Sequence, residues 1–159
     1  MRRAVILATV AFAATALGGA MPGRAGSEAV MCFGQPAATG TPHQDALKGT
    51  PGDNVIAGLA GNDGIADGEG NNRLCGNSGN DNVGSGTGAD RLSGGLGADR
   101  LRSGAGSDEL RGNSGSDVLR GGSGGDILFG GSGHDTLYGG AGEDTCVGGE
   151  VVHGCEHVL

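Results

Sequence analysis

Apolar residues recur at every ninth position through most of the chain. From Gly49 to Val147 the sequence divides without a gap into eleven blocks of nine residues, and the eighth position of each block is apolar. These eighth-column residues are Ile56, Ile65, Leu74, Val83, Leu92, Leu101, Leu110, Leu119, Leu128, Leu137 and Cys146. A fixed period of this kind predicts a repeat architecture in which each block is one structural unit.

Two further columns run in phase with the apolar one. The fourth position is glycine in all eleven blocks, and the sixth is aspartate or asparagine. The register extends outwards to block 40–48, which keeps Asp45 and Leu47 in their columns, whereas block 148–156 fits poorly, with His153 in the aspartate column and Cys155 in the apolar one. Degenerate terminal blocks are typical of solenoid caps. The columns therefore predict a lead-in and cap at 21–39, a repeat region at 40–147 and a second cap at 148–159.

The block consensus, GGxGxDxUx with U a large apolar residue, resembles the calcium-binding RTX nonapeptide repeat. The best copies are GGLGADRLR, GGSGGDILF and GGSGHDTLY, and the resemblance covers about two-thirds of the chain. It implies an all-β fold, a right-handed parallel β-roll, to which the cysteines discussed below add short disulfide-bonded terminal caps. In such a roll the first six residues of a block turn and bind calcium, and the last three form a short strand.

The residue chemistry supports the same picture independently. Glycines at the first, second and fourth positions allow positive φ angles and close backbone approach in a tight turn. The three positions around the apolar column alternate outside, inside and outside, as a strand requires. If two blocks make one turn, residues eighteen apart stack at about 4.8 Å, the spacing of neighbouring strands.

That stacking predicts two rows of polar side chains from the sixth column. The first row contains Asp45, Asp63, Asp81, Asp99, Asp117 and Asp135, and the second row contains Asn54, Asn72, Asp90, Asp108, Asp126 and Asp144. Stacked carboxylates repel each other unless a cation lies between them. Calcium, which takes six to eight oxygen ligands, fits better than magnesium. We therefore expect several calcium ions, with turn carbonyls completing their shells, and a weak or empty site at the uncharged pair Asn54 and Asn72.

The composition makes the metal essential to this interpretation. Glycine accounts for 38 of 159 residues and aromatic residues for 3%. The single column of inward aliphatic side chains is a thin core, and glycine loses the most backbone freedom on ordering. We expect the calcium-free chain to be largely disordered, so that calcium binding and folding are one event.

The amino terminus has the order of a secretory signal peptide. Arg2 and Arg3 precede an apolar stretch from Ala4 to Leu17, and small residues follow up to Ala20. This predicts a signal at about 1–20 and a secreted, extracellular protein. The apolar stretch is shorter than the roughly 20 residues of a membrane-spanning helix, so no membrane insertion is expected.

Four cysteines in an exported chain predict two disulfides, for which three connectivities exist. Cys146 and Cys155 both stand in the apolar column, one half-turn apart, which favours a bridge across the core. Cys32 would then pair with Cys75 and hold the amino-terminal cap against the outer face. Free buried thiols are the alternative, as is a zinc site formed by Cys155 with His153 and His157.

No catalytic motif accompanies the repeats, and we expect a non-catalytic structural or binding module. The formal charge of -8 gives no reason to expect nucleic acid as a partner. An alternative is a calcium-dependent adhesin for anionic surface polymers or glycans, and a more remote one is an accessory piece of an RTX hydrolase or toxin. The adhesin would use outward arginines in a belt round the middle of the roll, although the simpler interpretation is that they keep the faces soluble and offset nearby aspartate charge: Arg73, Arg91, Arg100, Arg102, Arg111 and Arg120. The oligomeric state is left open.

Overall fold

The computed structural model describes residues 5–7 and 30–159, which form strands and turns without a helix. Across the first sheet lie β1 (Val5–Leu7), β5 (Ala46–Lys48), β7 (Gly64–Ala66), β9 (Asn82–Gly84), β11 (Arg100–Ala105), β13 (Val118–Ser123), β15 (Thr136–Ala141) and β17 (Val151–His153). Across the second sheet lie β4 (Ala38–Thr39), β6 (Val55–Ala60), β8 (Arg73–Ser78), β10 (Arg91–Leu96), β12 (Glu109–Ser114), β14 (Ile127–Ser132), β16 (Thr145–Val147) and β18 (His157–Val158). An antiparallel hairpin joins β2 (Met31–Cys32) and β3 (Gln35–Pro36).

The two sheets are the walls of a parallel β-solenoid of about six turns. Within the repeats each strand pairs in parallel with the strands eighteen residues away, so that Leu92 lies between Leu74 and Leu110. Strands of the two sheets alternate along the chain, which confirms the prediction of two blocks per turn. No stretch within the described residues forms a helix that could cross a membrane. Apart from Val5–Leu7, the predicted signal lies outside these residues.

The core is the apolar column itself. Its residues from Leu47 to Cys146 form one continuous buried cluster, and most of the leucines are fully buried. Each strand contributes one inward side chain, so the two sheets enclose one file of apolar residues from each wall. The core is therefore as thin as the sequence predicts.

Strands in the middle of the roll are longer than expected. β10 and its neighbours have six residues, because pairing continues past the end of each block into the first three positions of the next. The fourth-column glycines and most second-column residues have positive φ, as at Gly97 (φ 121°) and Gly95 (φ 119°). The first column does not share this conformation: a β-carbon on Gly94 would instead collide with the carboxylate of Asp99. Glycine is needed there for space rather than for torsion angles.

The carboxy-terminal cap corrects one detail of the register. Val152 takes the place beside Leu137 that the register gives to Cys155, because the last connection is three residues shorter than a full turn, and both residues pack against the core. His153 accordingly lies next to Tyr138, outside the aspartate column, and stacks on its ring with centroids 5.1 Å apart. Cys155 lies in the following turn.

Both predicted disulfides are present. Cys146–Cys155 closes the carboxy-terminal end of the core, and Cys32–Cys75 fixes the lead-in hairpin to the second sheet. Cys32, Ala57 and Cys75 form a small buried cluster of their own, apart from the main core. Because Cys155 is bonded to Cys146, it cannot also be a thiolate ligand, and the zinc alternative with His153 and His157 is wrong.

Candidate metal sites

The sixth-column side chains form the two rows that the sequence predicts. Each lies at the turn before a strand, with the first row leading into the first sheet and the second row into the second sheet. In the repeating contact, the backbone N–H of one residue donates to Oδ1 of the residue eighteen positions later. The distance is 2.8 Å from Asp81 N to Asp99 Oδ1, and the other repeats are similar. One carboxylate oxygen per turn is thus used to hold the backbone.

The second carboxylate oxygen is what makes these rows candidate metal sites. Within the two rows of the described chain, buried Oδ2 atoms without a hydrogen-bond partner belong to Asp63, Asp81, Asp90, Asp99, Asp108, Asp117, Asp126 and Asp144. All eight side chains are at most 3% exposed. A buried carboxylate oxygen without a partner is costly, so a row of them points to a ligand that supplies positive charge.

Backbone carbonyls converge on the same positions. A β-carbon placed on Gly121 would meet Asp126 Oδ2 and Gly139 O, and the same pair of oxygens recurs at other first-column glycines, including Gly58, Gly76 and Gly112. Carboxylate and carbonyl oxygens side by side are ligands that a hard divalent cation prefers. Among described residues no group of three or more His, Cys, Asp or Glu side chains converges. The donor set thus fits calcium held largely by carbonyls and does not fit zinc.

Burial makes the charge on these carboxylates costly without a cation. Burial, opposed by the hydrogen bond from Asp81 and reinforced by the charges of Asp117 and Asp81, raises the pKa of Asp99 to about 7. Burial, with the same kinds of opposing and reinforcing contacts, raises the pKa of Asp126 to about 6. The pKa values of Asp63, Asp81, Asp108 and Asp117 are also raised, chiefly by burial. A cation between the turns would remove this penalty.

The first turn of each row is different. Asp45 Oδ2 accepts the backbone N–H of Thr41 at 2.6 Å and its hydroxyl at 2.8 Å. In the second row, Asn54 Oδ1 accepts the corresponding groups of Thr50. Its Nδ2 donates to the carbonyls of Thr50 and Gly52, each at 2.6 Å. The amide nitrogen thus occupies the place beside turn carbonyls that a cation would take, in agreement with the expectation of a weak or empty site, which stays a prediction.

Three relevant acidic residues lie outside the sixth column and were not predicted from the sequence. Asp67 stands where most blocks have their first glycine, and its carboxylate lies over Gly49, with Oδ1 3.3 Å from Asn54 Nδ2 and a buried Oδ2 that has no partner in the described chain. Glu150 and Glu156 lie where the nine-residue register breaks. Each accepts the backbone N–H of the last aspartate of its row, Glu150 from Asp135 at 2.5 Å and Glu156 from Asp144 at 2.8 Å. For Asp67, the sequence signal was the pair of asparagines in the sixth column, Asn54 and Asn72, which leave the first turns of the second row without a carboxylate of their own.

The outward arginines divide into two unlike groups. In the second sheet, Glu109 lies between Arg91 and Arg111 and forms an ion pair with each, the first at 3.2 Å. In the first sheet, Arg102 and Arg120 are neighbours on adjacent strands. No ion pair of the described chain involves these two or Arg100. The predicted belt is therefore uneven: on the second sheet Glu109 offsets part of the charge of Arg91 and Arg111, and Arg73 lies next to Arg91. On the first sheet the arginines are open, with no ion-pair partner among the described residues.

Comparison with protein families agrees with this geometry. The model of the RTX calcium-binding nonapeptide repeat matches residues 40–83, 84–119 and 120–150, which is more than two-thirds of the chain. Among curated proteins the chain finds no match.

Proposed function

Because the chain belongs to the RTX calcium-binding nonapeptide repeat family, we propose that it is a secreted, non-catalytic module that folds when it binds calcium outside the cytoplasm. Several ions would lie between successive turns in the two rows. The observation that carries the proposal is the series of eight buried Oδ2 atoms that have no partner in the described residues. These oxygens recur with the repeat, so the need for a cation is built into each turn rather than into one pocket.

A calcium titration of the full chain tests this function. Strand content followed by circular dichroism should rise cooperatively with calcium, and calorimetry should show several ions bound. Extracellular calcium modules have dissociation constants of about 10⁻⁴–10⁻³ M, so transfer to the outside would itself trigger folding. Magnesium at the same concentrations should have little effect, because it keeps its waters and needs a tighter octahedron. Equal strand content without calcium would overturn the proposal.

Secretion rests on the charged and apolar pattern of residues 1–20 alone. Expression of the full chain in a bacterial host, followed by mass measurement of the exported protein, tests it. The expected mass is that of a chain starting near Met21. Retention of an uncleaved chain inside the cells would contradict the proposal.

A second candidate function is binding of an anionic surface polymer. It is supported by the open arginines of the first sheet, which line a shallow groove of about 420 Å³ together with Tyr138. Arg120 lies over the Tyr138 ring at 4.8 Å, which holds the guanidinium at the surface. An anionic chain laid along the sheet would meet Arg102 and Arg120 on successive strands.

Retention on an immobilised anionic wall polymer at low and high salt decides this candidate. The pair Arg102→Gln and Arg120→Gln should lose salt-sensitive retention. The matched pair Arg91→Gln and Arg111→Gln should keep most of it, because Glu109 already offsets part of those charges. Retention that does not depend on salt, or that both pairs reduce equally, would reject the first-sheet surface.

A further inference from the structure

The carboxy-terminal cap reproduces the inter-turn contact of the repeats with residues from outside the repeats. In the repeats, an aspartate Oδ1 accepts the backbone N–H of the aspartate eighteen positions earlier, as Asp144 does for Asp126 at 2.8 Å. No further aspartate follows Asp144 in its row. Glu156 Oε2 takes that place only twelve residues later and accepts Asp144 N–H at 2.8 Å. The longer side chain bridges the shorter connection.

The carbonyl partner of the site is present as well. A β-carbon on Gly139 would meet Asp144 Oδ2 and Gly154 O, just as one on Gly121 would meet Asp126 Oδ2 and Gly139 O. Gly154 O accepts one N–H, from Gly140 at 3.1 Å, which leaves a lone pair on the carbonyl oxygen. The cap therefore offers the same kinds of oxygen as a full turn.

Asp144 shows that this end requires a ligand. Its side chain is 0% exposed, and its Oδ2 has no hydrogen-bond partner in the described residues. Glu156 takes part in none of the ion pairs of that part of the chain. By contrast, Glu150 has its other oxygen 3.7 Å from His134 Nδ1. Of the two cap glutamates, Glu156 is thus the one bonded to an aspartate whose buried Oδ2 has no partner in the described residues.

We propose that Glu156, with Asp144 Oδ2 and Gly154 O, completes a terminal calcium site at the last turn of the second row. The site rests on the proposed function, because it takes the same cation as the repeats. Two features of the cap hold Glu156 in place: the preceding residue, Cys155, is bonded to Cys146, and the following residues pair as β18 with β16. The degenerate end is then a functional turn that also binds metal, in addition to covering the core.

Counting bound calcium ions by native mass spectrometry on the full chain tests the site. Glu156→Gln should bind one ion fewer than the unmodified chain, since glutamine keeps an oxygen for Asp144 N–H but removes the charge. The matched control is Glu143→Gln, at the same end, where the side chain is 87% exposed; it should leave the count unchanged. An unchanged count in Glu156→Gln would reduce Glu156 to a cap and overturn the proposal.

A second measurement needs no variant. Crystals of the unmodified chain grown with calcium should give an anomalous peak in contact with both Asp144 and Glu156. Peaks along the repeats without one at this end would overturn the terminal site while leaving the proposed function intact. A chain that bound no calcium anywhere would instead reject the proposed function.

Discussion

The first turns of the roll and the turns in its middle satisfy the same column of side chains by different means. In the first turns, a threonine at the second position donates its N–H and hydroxyl to the sixth-column side chain, as Thr41 does to Asp45 and Thr50 to Asn54. In the middle, the second position is mostly glycine, and Asp99 Oδ2 has no partner in the described residues. At the amino-terminal end, protein N–H and hydroxyl groups therefore satisfy the side-chain oxygens that a cation would satisfy in the middle turns.

The two regions also differ in the bonds and packing that stabilise them. Cys32–Cys75 joins the lead-in hairpin to the third strand of the second sheet and encloses the first turns of both rows. In the described residues the middle turns have no disulfide and are held by one aliphatic side chain per strand and by hydrogen bonds to neighbouring turns. We expect the amino-terminal turns to retain order without calcium and the middle turns to lose it.

Removing the amino-terminal disulfide should have the largest effect on this contrast. The loop of 43 residues closed by Cys32–Cys75 corresponds to about 4 kcal/mol of unfolded-state entropy, and the loop of 9 closed by Cys146–Cys155 to about 3 kcal/mol. The Cys32→Ser, Cys75→Ser variant should thus lose more stability than Cys146→Ser, Cys155→Ser. Urea unfolding of both variants in saturating calcium measures the difference, and the reverse order would contradict it.

Neutralising one aspartate in each region should have the next largest effect, here on the calcium concentration at the midpoint of folding. The substitution Asp99→Asn keeps an oxygen for Asp81 N–H but removes the charge facing the cation, so it should raise the calcium midpoint of folding about tenfold, or about 1.4 kcal/mol. Asp45→Asn should change the midpoint far less, because Thr41 already satisfies that side chain. Calcium titrations of the two variants measure the shifts. Equal shifts would mean that the first turn depends on the cation as much as the middle does.

Acidification should partly replace calcium in the middle turns. Burial raises the pKa of Asp99 to about 7 and of Asp126 to about 6, above the ordinary value of 3.8. The folded state therefore binds more protons than the unfolded state at intermediate pH. The stability that the folded state gains from this proton binding is fully present below about pH 3.8, and it is lost as the pH rises through 6 to 7. Circular dichroism of chelator-treated, desalted chain should show more strand at pH 4.5 than at pH 7.5, and no gain would contradict the assignment.

A small gain of stability should come from Leu59. It has φ 87° in the second column, a torsion angle that favours glycine or asparagine, and its strand neighbour Asn77 has φ 78°. Leu59→Asn should stabilise the roll by about 0.5–1 kcal/mol by relieving strain. The control Leu96→Asn, at an exposed third-column position, should be close to neutral. Thermal unfolding in saturating calcium compares them, and a loss of stability in Leu59→Asn would show that packing outweighs strain there.

The sequence predicted most of the repeats because each column has one physical task. The leucine column and the aspartate rows follow from a register of nine, and the structure confirms the stacking. Both predicted disulfides are also confirmed, although Cys155 does not take its register position and Cys32 lies outside the register. The sequence alone could not predict the places of Glu156 and Val152, because these depend on how far the shortened connection of the cap reaches. Nor did it show that Thr41 and Thr50 replace a cation, since their role depends on side-chain direction. Six-residue strands were missed because glycine has low strand propensity, which pairing with neighbouring turns overrides.

Hydrogen exchange of the backbone amides, with and without calcium, tests the central claim most directly. With calcium, amides throughout the repeats should be protected. After chelation, the turns from Asp81 to Asp135 should exchange at the rate of an unfolded chain, whereas the segment enclosed by Cys32 and Cys75 should keep measurable protection. Protection of the middle turns that survives chelation would contradict the claim that cations between stacked carboxylates organise this roll.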